Sequence, residues 1–382
     1  MCAPSNINQQ RRQVKEKKLA ATEEHGLSPT LIKAHADYQA SSPYIAWMFV
    51  TLCTASFYIG PALLFSPFFI YYFHPQAAAL MFCTNVFLAL HPVSPWLKFR
   101  RYCQMLYGIF NFHHNLTPKL NEIAKKEQRL SIVAMHPHAI IPLHGFLWAA
   151  ICDQLLPSMY GYGATTDGAL ILPVLRHLLQ YMSVGSTKKK AIMNQMQVHG
   201  QNLFILPGGV AEIFLSHRRK QTGDAQVQTI YGRRYGLMKL ALQTGAVIYP
   251  AYVFGASDML DQLAPVDKVQ DKSKQDTKNS FATMMESLSR KLGGGLTLYY
   301  GQYYLPIPYN PQLSMVLGNP IYPVANTTEP NVCGEKNTCK RIENPTTEQV
   351  EELMDRYTNA LQCLFEQYKV EAGYPNDTLK VI

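Results

Sequence analysis

From Tyr44 to Leu90 the sequence contains no Asp, Glu, Lys or Arg, and His74 is the one side chain in that run that takes a proton near neutrality. A helix at the surface of a water-soluble domain needs a polar face, and this stretch offers none over several turns. A single membrane span requires about 20 apolar residues, and the run is roughly twice that length. It therefore predicts two spans or a re-entrant hairpin. Pro61 and Pro67 bracket the middle of the run (GPALLFSP), and proline breaks or bends a helix, so the turn is expected near them. A second candidate turn, His74-Pro75-Gln76, leaves a short second arm from Ala77 to Leu90. The run starts too late and is too long for a cleaved signal peptide. The competing reading is a buried helix pair in the core of a soluble protein.

The flanks give an orientation. Arg11, Arg12, Lys15, Lys17, Lys18 and Lys33 precede the run, and Lys98, Arg100 and Arg101 follow it. Basic residues on both sides favour two cytoplasmic ends, which an even number of crossings satisfies. The expected organisation is a polar, partly disordered tail (residues 1–42), a hydrophobic hairpin (43–92) and a cytosolic domain (93–382). With 16% charged and 47% hydrophobic residues and a formal net charge of +9, the chain suits a phospholipid surface or a phosphorylated ligand. It has no nucleic-acid-binding signature. The eight cysteines show no C-x-x-C spacing, so Cys333 and Cys339 are expected as free thiols. The sequons at Asn115, Asn326 and Asn376 are expected to stay unmodified on the cytosolic side.

Beyond the run an α/β pattern begins. Strands are expected at 131–135, 159–165, 202–209, 246–254 and 314–321, with helices at Leu170–Tyr181, Lys188–His199, Tyr235–Thr244, Phe281–Leu292 and Thr347–Ala372, the last capped by T-T-E-Q. Strands alternating with helices argue for a mostly parallel sheet with flanking helices. Segments 266–279 and 326–344 read as polar surface insertions.

Three motifs carry chemistry. His136-Pro137-His138 follows the first strand, where open α/β sheets place their active sites. A neutral imidazole there can take a proton from an attacking hydroxyl, and the proline between the two rings points them different ways, one catalytic and one structural. Pro207-Gly208-Gly209 ends another strand. Adjacent glycines allow a sharp turn and close approach, and free amides there can hold a phosphate or an oxyanion. Glu212 follows, able to orient a histidine or contact substrate. Arg233-Arg234-Tyr235-Gly236 opens a helix, and arginine suits phosphate. Lys188-Lys189-Lys190 reads as a surface charge run. For the histidines, a metal site is the first alternative, with His144, His113 and His114 at hand, but carboxylates are few nearby and zincin spacing is absent. A hydrolase triad would want G-x-S-x-G, which does not occur. A purely structural loop is the third alternative.

The ordered blocks MHPHA, LPGGVAEIF, RRYGLMKLALQTGAVIYPAYVFG and VLGNPI resemble the type-2 diacylglycerol acyltransferase family, which includes monoacylglycerol and wax acyltransferases. The resemblance runs from about Pro43 to the C-terminus. It implies a glycerolipid-acyltransferase-like α/β fold. It also implies transfer of a fatty acyl group from acyl-CoA to diacylglycerol in the endoplasmic reticulum membrane or at a lipid droplet. By position it carries over His136 and His138 as the histidine block, one of them the base, then Pro207, Gly208, Gly209 and Glu212, then Arg234 and Gly236 for substrate. Acyl-CoA is a co-substrate, its phosphates placed near Arg234. No cofactor or metal is implied, and membrane lipids are partners; a homo-oligomer is allowed for. Ala139 stands where the family usually has glycine, Leu237 where it has phenylalanine and Ala256 where it has glutamate. Related glycerol-phosphate acyltransferases carry H-x-x-x-x-D, whereas Ile141 and Leu143 occupy the corresponding positions here, which leaves Glu212 as the candidate partner of the base. A monoacylglycerol or wax-alcohol acyltransferase, and a catalytically weak lipid-droplet scaffold, are the alternatives.

Overall fold

Ser131–His136, buried at all six positions, and Val247–Phe254, buried at all eight, lie side by side in parallel register, Ser131 opposite Val247 and His136 opposite Tyr252. Strands buried on both faces read as continuous apolar runs, which is why these two stand out in the sequence. The computed structural model describes residues 32–33, 43–104, 109–115, 118–127, 129–219, 224–263, 277–292, 294–295, 297–324 and 341–382. In chain order its strands are β1 (Ile32–Lys33), β2 (His113–His114), β3 (Ser131–His136), β4 (Gly161–Thr165), β5 (Val184–Ser186), β6 (Asn202–Ile205), β7 (Val227–Ile230), β8 (Val247–Phe254), β9 (Asp261–Gln262), β10 (Tyr299–Tyr300), β11 (Ser314–Leu317) and β12 (Thr378–Val381).

The main sheet runs β1-β2-β11-β8-β3-β6-β4-β5. From β8 to β5 every pairing is parallel, and β11 joins antiparallel to β8. Alternation along β3 divides two cores: Val133 and Met135 face one, Ile132 and Ala134 the other. The first core includes the helix Leu143–Leu155, whose residues 143–152 are all buried. The second is filled by the helices Tyr235–Thr244 and Thr347–Tyr368. In the latter Val350, Leu353, Met354, Tyr357, Leu361, Leu364, Phe365 and Tyr368 form the buried stripe, and Thr346 and Gln349 make a reciprocal capping box.

Several elements differ from the sequence expectation. The helix expected over Leu170–Tyr181 is two, Asp167–Ile171 and Leu175–Tyr181, divided at Pro173, with Val174 at φ +67°. The segment Lys188–His199 is a short helix, Lys189–Met193, running into a π turn over Asn194–Val198. The C-terminal residues form β12, parallel to β7. Cys333, Cys339 and Asn326 lie outside the described residues.

The apolar run forms two helices, Pro43–Tyr71 and Pro75–Leu90. The turn lies at 72–74, not between the two prolines, because the helix continues through both. Pro67 has no N–H for the carbonyl four residues earlier, that of Leu63. Ser66 Oγ (2.7 Å) and Asn85 Nδ2 of the second helix (2.6 Å) donate to that carbonyl instead. Such substitution lets proline persist inside an apolar helix. The first half of the long helix docks on the domain: Ala46, Val50 and Cys53 are buried, and Tyr58 stacks on Tyr299 at 4.6 Å. Beyond it Phe68, Phe69, Tyr72 and Phe73 are each more than 70% exposed, an apolar tip of the kind that marks a membrane or partner contact. Pro43–Tyr71 is long and apolar enough to cross a membrane.

Candidate active site

Because β3 and β6 are parallel neighbours, the His-Pro-His segment and the Pro-Gly-Gly turn leave the sheet on the same edge. Glu212, on the short helix Val210–Ile213 after the turn, is buried and accepts hydrogen bonds from both sides. Its Oε1 receives His136 Nδ1–H (3.0 Å) and the Tyr231 amide (2.8 Å), and its Oε2 receives the His138 amide (2.5 Å). Burial alone would raise this carboxyl. The His136 charge, the His136 hydrogen bond and the His138 amide outweigh it and hold Glu212 below its ordinary value. Gly208 is required sterically, since a Cβ there would overlap the Glu212 carboxylate. Gly209 is required conformationally, at φ +53°.

The two histidines are in different surroundings. His136 is wholly buried, with Nδ1 on Glu212 and Nε2 on Tyr357 Oη at 3.0 Å. It does not line the adjoining cavity. His138 does. Its Nδ1 lies 2.9 Å from the Ala139 carbonyl; a carbonyl only accepts, so Nδ1 carries the proton and Nε2 is the basic nitrogen. Burial pushes His138 below its ordinary value of 6.5, against the raising effect of the Ala139 bond and Glu212. Ala139 itself has φ +58°, so the residue standing where the family has glycine occupies a left-handed conformation. Nearby His144 is buried, and burial pushes it down to about 3.

The cavity beside His138 has a volume of about 480 Å³. Its walls include Phe57, Pro61, Leu64 and Phe65 of the long apolar helix, Ile140, Ile141 and Phe146 after the histidines, and Pro207 and Gly209 of the turn. Among the described residues no Lys, Arg, Asp or Glu lines it. It can therefore take an apolar chain with a reacting group at His138.

Arg234 donates from Nε to the Pro207 carbonyl (2.9 Å) and from Nη2 to that of Gly208 (2.7 Å). It is thus a clamp on the Pro-Gly-Gly turn, and two of its donors are engaged before any ligand binds. Gly236 is exposed and does not line the cavity; a Cβ there would meet nothing within 4 Å. Three features escape the sequence reading. Tyr357, on the last long helix, has only its place in a core stripe to mark it. The Tyr231 amide is aimed by the β7–β12 pair, where the Ile382 amide donates to Ile230 and the Arg233 amide to Ile382. The apolar helix forms a cavity wall as well as a candidate anchor.

A family model described as diacylglycerol acyltransferase matches residues 96–382. Among curated relatives, diacylglycerol O-acyltransferase 2-like protein 6 of Bos taurus is 28% identical, over 68% of this chain and 69% of its own. The 2-acylglycerol O-acyltransferase 1 of Bos taurus is 27% identical over 65% and 68%. The diacylglycerol O-acyltransferase 2 of Dictyostelium discoideum is 26% identical over 72% and 73%. No solved structure matches the chain. The family match spans β2 to β12 and every residue of the His136–Glu212–His138 centre, and the chain belongs to the diacylglycerol acyltransferase family.

Proposed function

We propose that the chain transfers a fatty acyl group from acyl-CoA to the free hydroxyl of diacylglycerol, with His138 as general base. The observation that carries this reading is the position of His138, whose proton-bearing Nδ1 is fixed on Ala139 while the ring borders an apolar cavity. Nε2 accepts the hydroxyl proton as the acceptor oxygen bonds to the thioester carbonyl carbon. The tetrahedral intermediate collapses, the C–S bond breaks, and the departing sulfur takes the proton back from His138 Nε2, so that CoA leaves as its thiol and His138 returns to the neutral form. The Gly209 amide is already given to the Leu206 carbonyl (3.3 Å), which leaves the neighbouring amides of the turn after Pro207 as the proposed donors to the oxyanion. His136 and Glu212 are positioning residues: the carboxylate holds the His138 amide, and His136 with Tyr357 holds the carboxylate.

The exposed apolar tip and the helix wall of the cavity fit an enzyme seated in the endoplasmic reticulum membrane or on a lipid droplet. A lipid acceptor then arrives from the bilayer, and the domain faces the cytosol. The likeness to a 2-acylglycerol O-acyltransferase makes monoacylglycerol the second acceptor to test. Membranes from cells lacking neutral-lipid synthesis, expressing the chain, are supplied with acyl-CoA and either acceptor. Diacylglycerol is expected to give triacylglycerol. His138→Ala is expected to lower the rate roughly 10²–10⁴-fold at equal protein level. Near-normal synthesis by that variant would remove His138 from the chemistry.

A further inference from the structure

We infer that the lysines at the end of β5, Lys188 to Lys190, bind the phosphates of the acyl donor; the inference rests on the acyl-CoA reading above. Four neighbouring parallel strands, β3, β6, β4 and β5, end on one edge. The residues at or just past their carboxyl ends, His138, Pro207, Thr165 with Thr166, and Thr187, all line the same cavity. Lys188, Lys189 and Lys190 follow Thr187 directly and are exposed. Lys188 pairs with Asp167 at 2.5 Å. Lys189 and Lys190 have no ion-pair partner among the described residues, so the rim here carries a net excess of positive charge.

The cavity wall explains why the phosphates belong at this rim. A donor made of an apolar chain, a thioester and a polyanionic nucleotide must leave its phosphates outside a wall that has no charged side chain among the described residues. The Arg234 guanidinium, the other cation near the turn, already holds the carbonyls of Pro207 and Gly208. Drawing it to a phosphate would release the turn that seats Glu212. Distance agrees as well. Three inter-strand spacings separate β3 from β5, roughly 14 Å at about 4.8 Å each. The pantetheine arm, with about four peptide-like units at up to ~3.5 Å, has that reach.

The test compares two donors in the full-length membrane-bound protein: a long-chain acyl-CoA, and the same acyl group on N-acetylcysteamine, which has no phosphate. The double variant Lys189→Glu/Lys190→Glu is expected to raise KM for acyl-CoA about tenfold, the scale of two lost exposed charge contacts. Its kcat/KM for the phosphate-free donor should change by less than about twofold, since no phosphate contact is lost. Lys189→Arg/Lys190→Arg should retain the wild-type KM. Added salt should erode the wild-type preference for acyl-CoA but not the double variant's. Equal losses with both donors, or no change with either, would overturn the inference. So would a donor KM that is unchanged while the double variant loses its enhancement by vesicles containing phosphatidate over vesicles of phosphatidylcholine alone, since the lysines would then serve lipid headgroups. Wild-type protein that transfers from neither donor would instead overturn the acyltransferase reading beneath it.

Discussion

Replacing Glu212 by glutamine removes a charge and turns one acceptor atom into a donor, with almost no change of volume. The carboxylate receives three N–H groups, two on Oε1 and one on Oε2. In its better orientation the carbonyl of the substituted amide would keep the His136 and Tyr231 bonds, now weakened by loss of charge. Its NH₂ would face the His138 amide, donor against donor. A buried N–H left without a partner costs about 1–3 kcal/mol, and a bond to a charged group exceeds a neutral one by about 1 kcal/mol. The sum is roughly 3–5 kcal/mol, the range found when one member of a buried pair is removed. At about 2.1 cal/mol/K per residue, about 3 kcal/mol corresponds for a domain of this size to a melting shift on the order of 4–5 °C. The detergent-solubilised protein can be melted by intrinsic fluorescence, for which buried Trp148 is a reporter. Transfer should be assayed well below the variant's midpoint. There it should fall about 10²-fold, the lower end of what a general base contributes, because the His138 backbone is no longer held. A midpoint within about 1 °C of wild type, under about 1 kcal/mol for a chain of this size, with transfer intact, would show that this carboxylate neither anchors the turn nor positions the base.

Glu212→Gln has a counterpart in solution pH. His138 is depressed in the fold, so it binds its proton less tightly than in the unfolded chain; its contribution to stability is full above 6.5 and is lost as pH falls below that value. Glu212 has the same sign, full above 4.5 and lost as pH falls through its lower folded value. The kcat/KM profile should therefore show its acidic apparent pKa below 6.5, and one at or above 6.5 would contradict His138 as the base. Ala139→Gly relieves a left-handed alanine, worth about 1–2 kcal/mol, against roughly 0.5–1 kcal/mol of glycine backbone entropy. Equal or higher activity and a melting point equal to wild type or raised by about 1–2 °C are expected, and a lowered one would refute the strain argument. Asn115 is 2% exposed, and its amide bonds Leu317 N and O and Tyr368 Oη. Glycosidase should leave the mass of the intact protein unchanged, and Asn115→Ala should lower its melting point.

Where a side chain's environment is set by its own segment, the sequence is informative. β3, β8 and the helix Thr347–Tyr368 follow from runs and stripes that report burial directly, and the capping box lies within four residues. The histidine and glycine blocks can be placed at strand ends because the strands before them are visible. What the sequence does not disclose needs a distant partner. The turn expected at Pro61 and Pro67 is absent because Asn85, from the next helix, supplies a donor to the carbonyl that Pro67 leaves open. Leu143–Leu155 gives no helical signal, since a segment buried on all sides has no polar face to give it a period. The roles of the two histidines separate only when Tyr357 is brought to His136 and the cavity to His138. Arg234 reads as a phosphate ligand because its type allows it; the carbonyls that hold it belong to another segment.

The bond between His136 and Tyr357 joins positions 221 residues apart, and it sets an order of events during synthesis. At about 5–20 residues per second, roughly 10–45 s pass between the appearance of the two ends of that interval. The helices Pro43–Tyr71 and Pro75–Leu90 emerge before any part of this centre, so the apolar hairpin is free to be captured while the sheet is still unmade. Through the same interval the second face of β3 and β8 lacks the helix Thr347–Tyr368 that covers it. On the proposed function, attachment would therefore precede activity: a ribosome-bound chain could be held by its apolar hairpin before the helix Thr347–Tyr368 folds back onto the sheet and brings Tyr357 to His136.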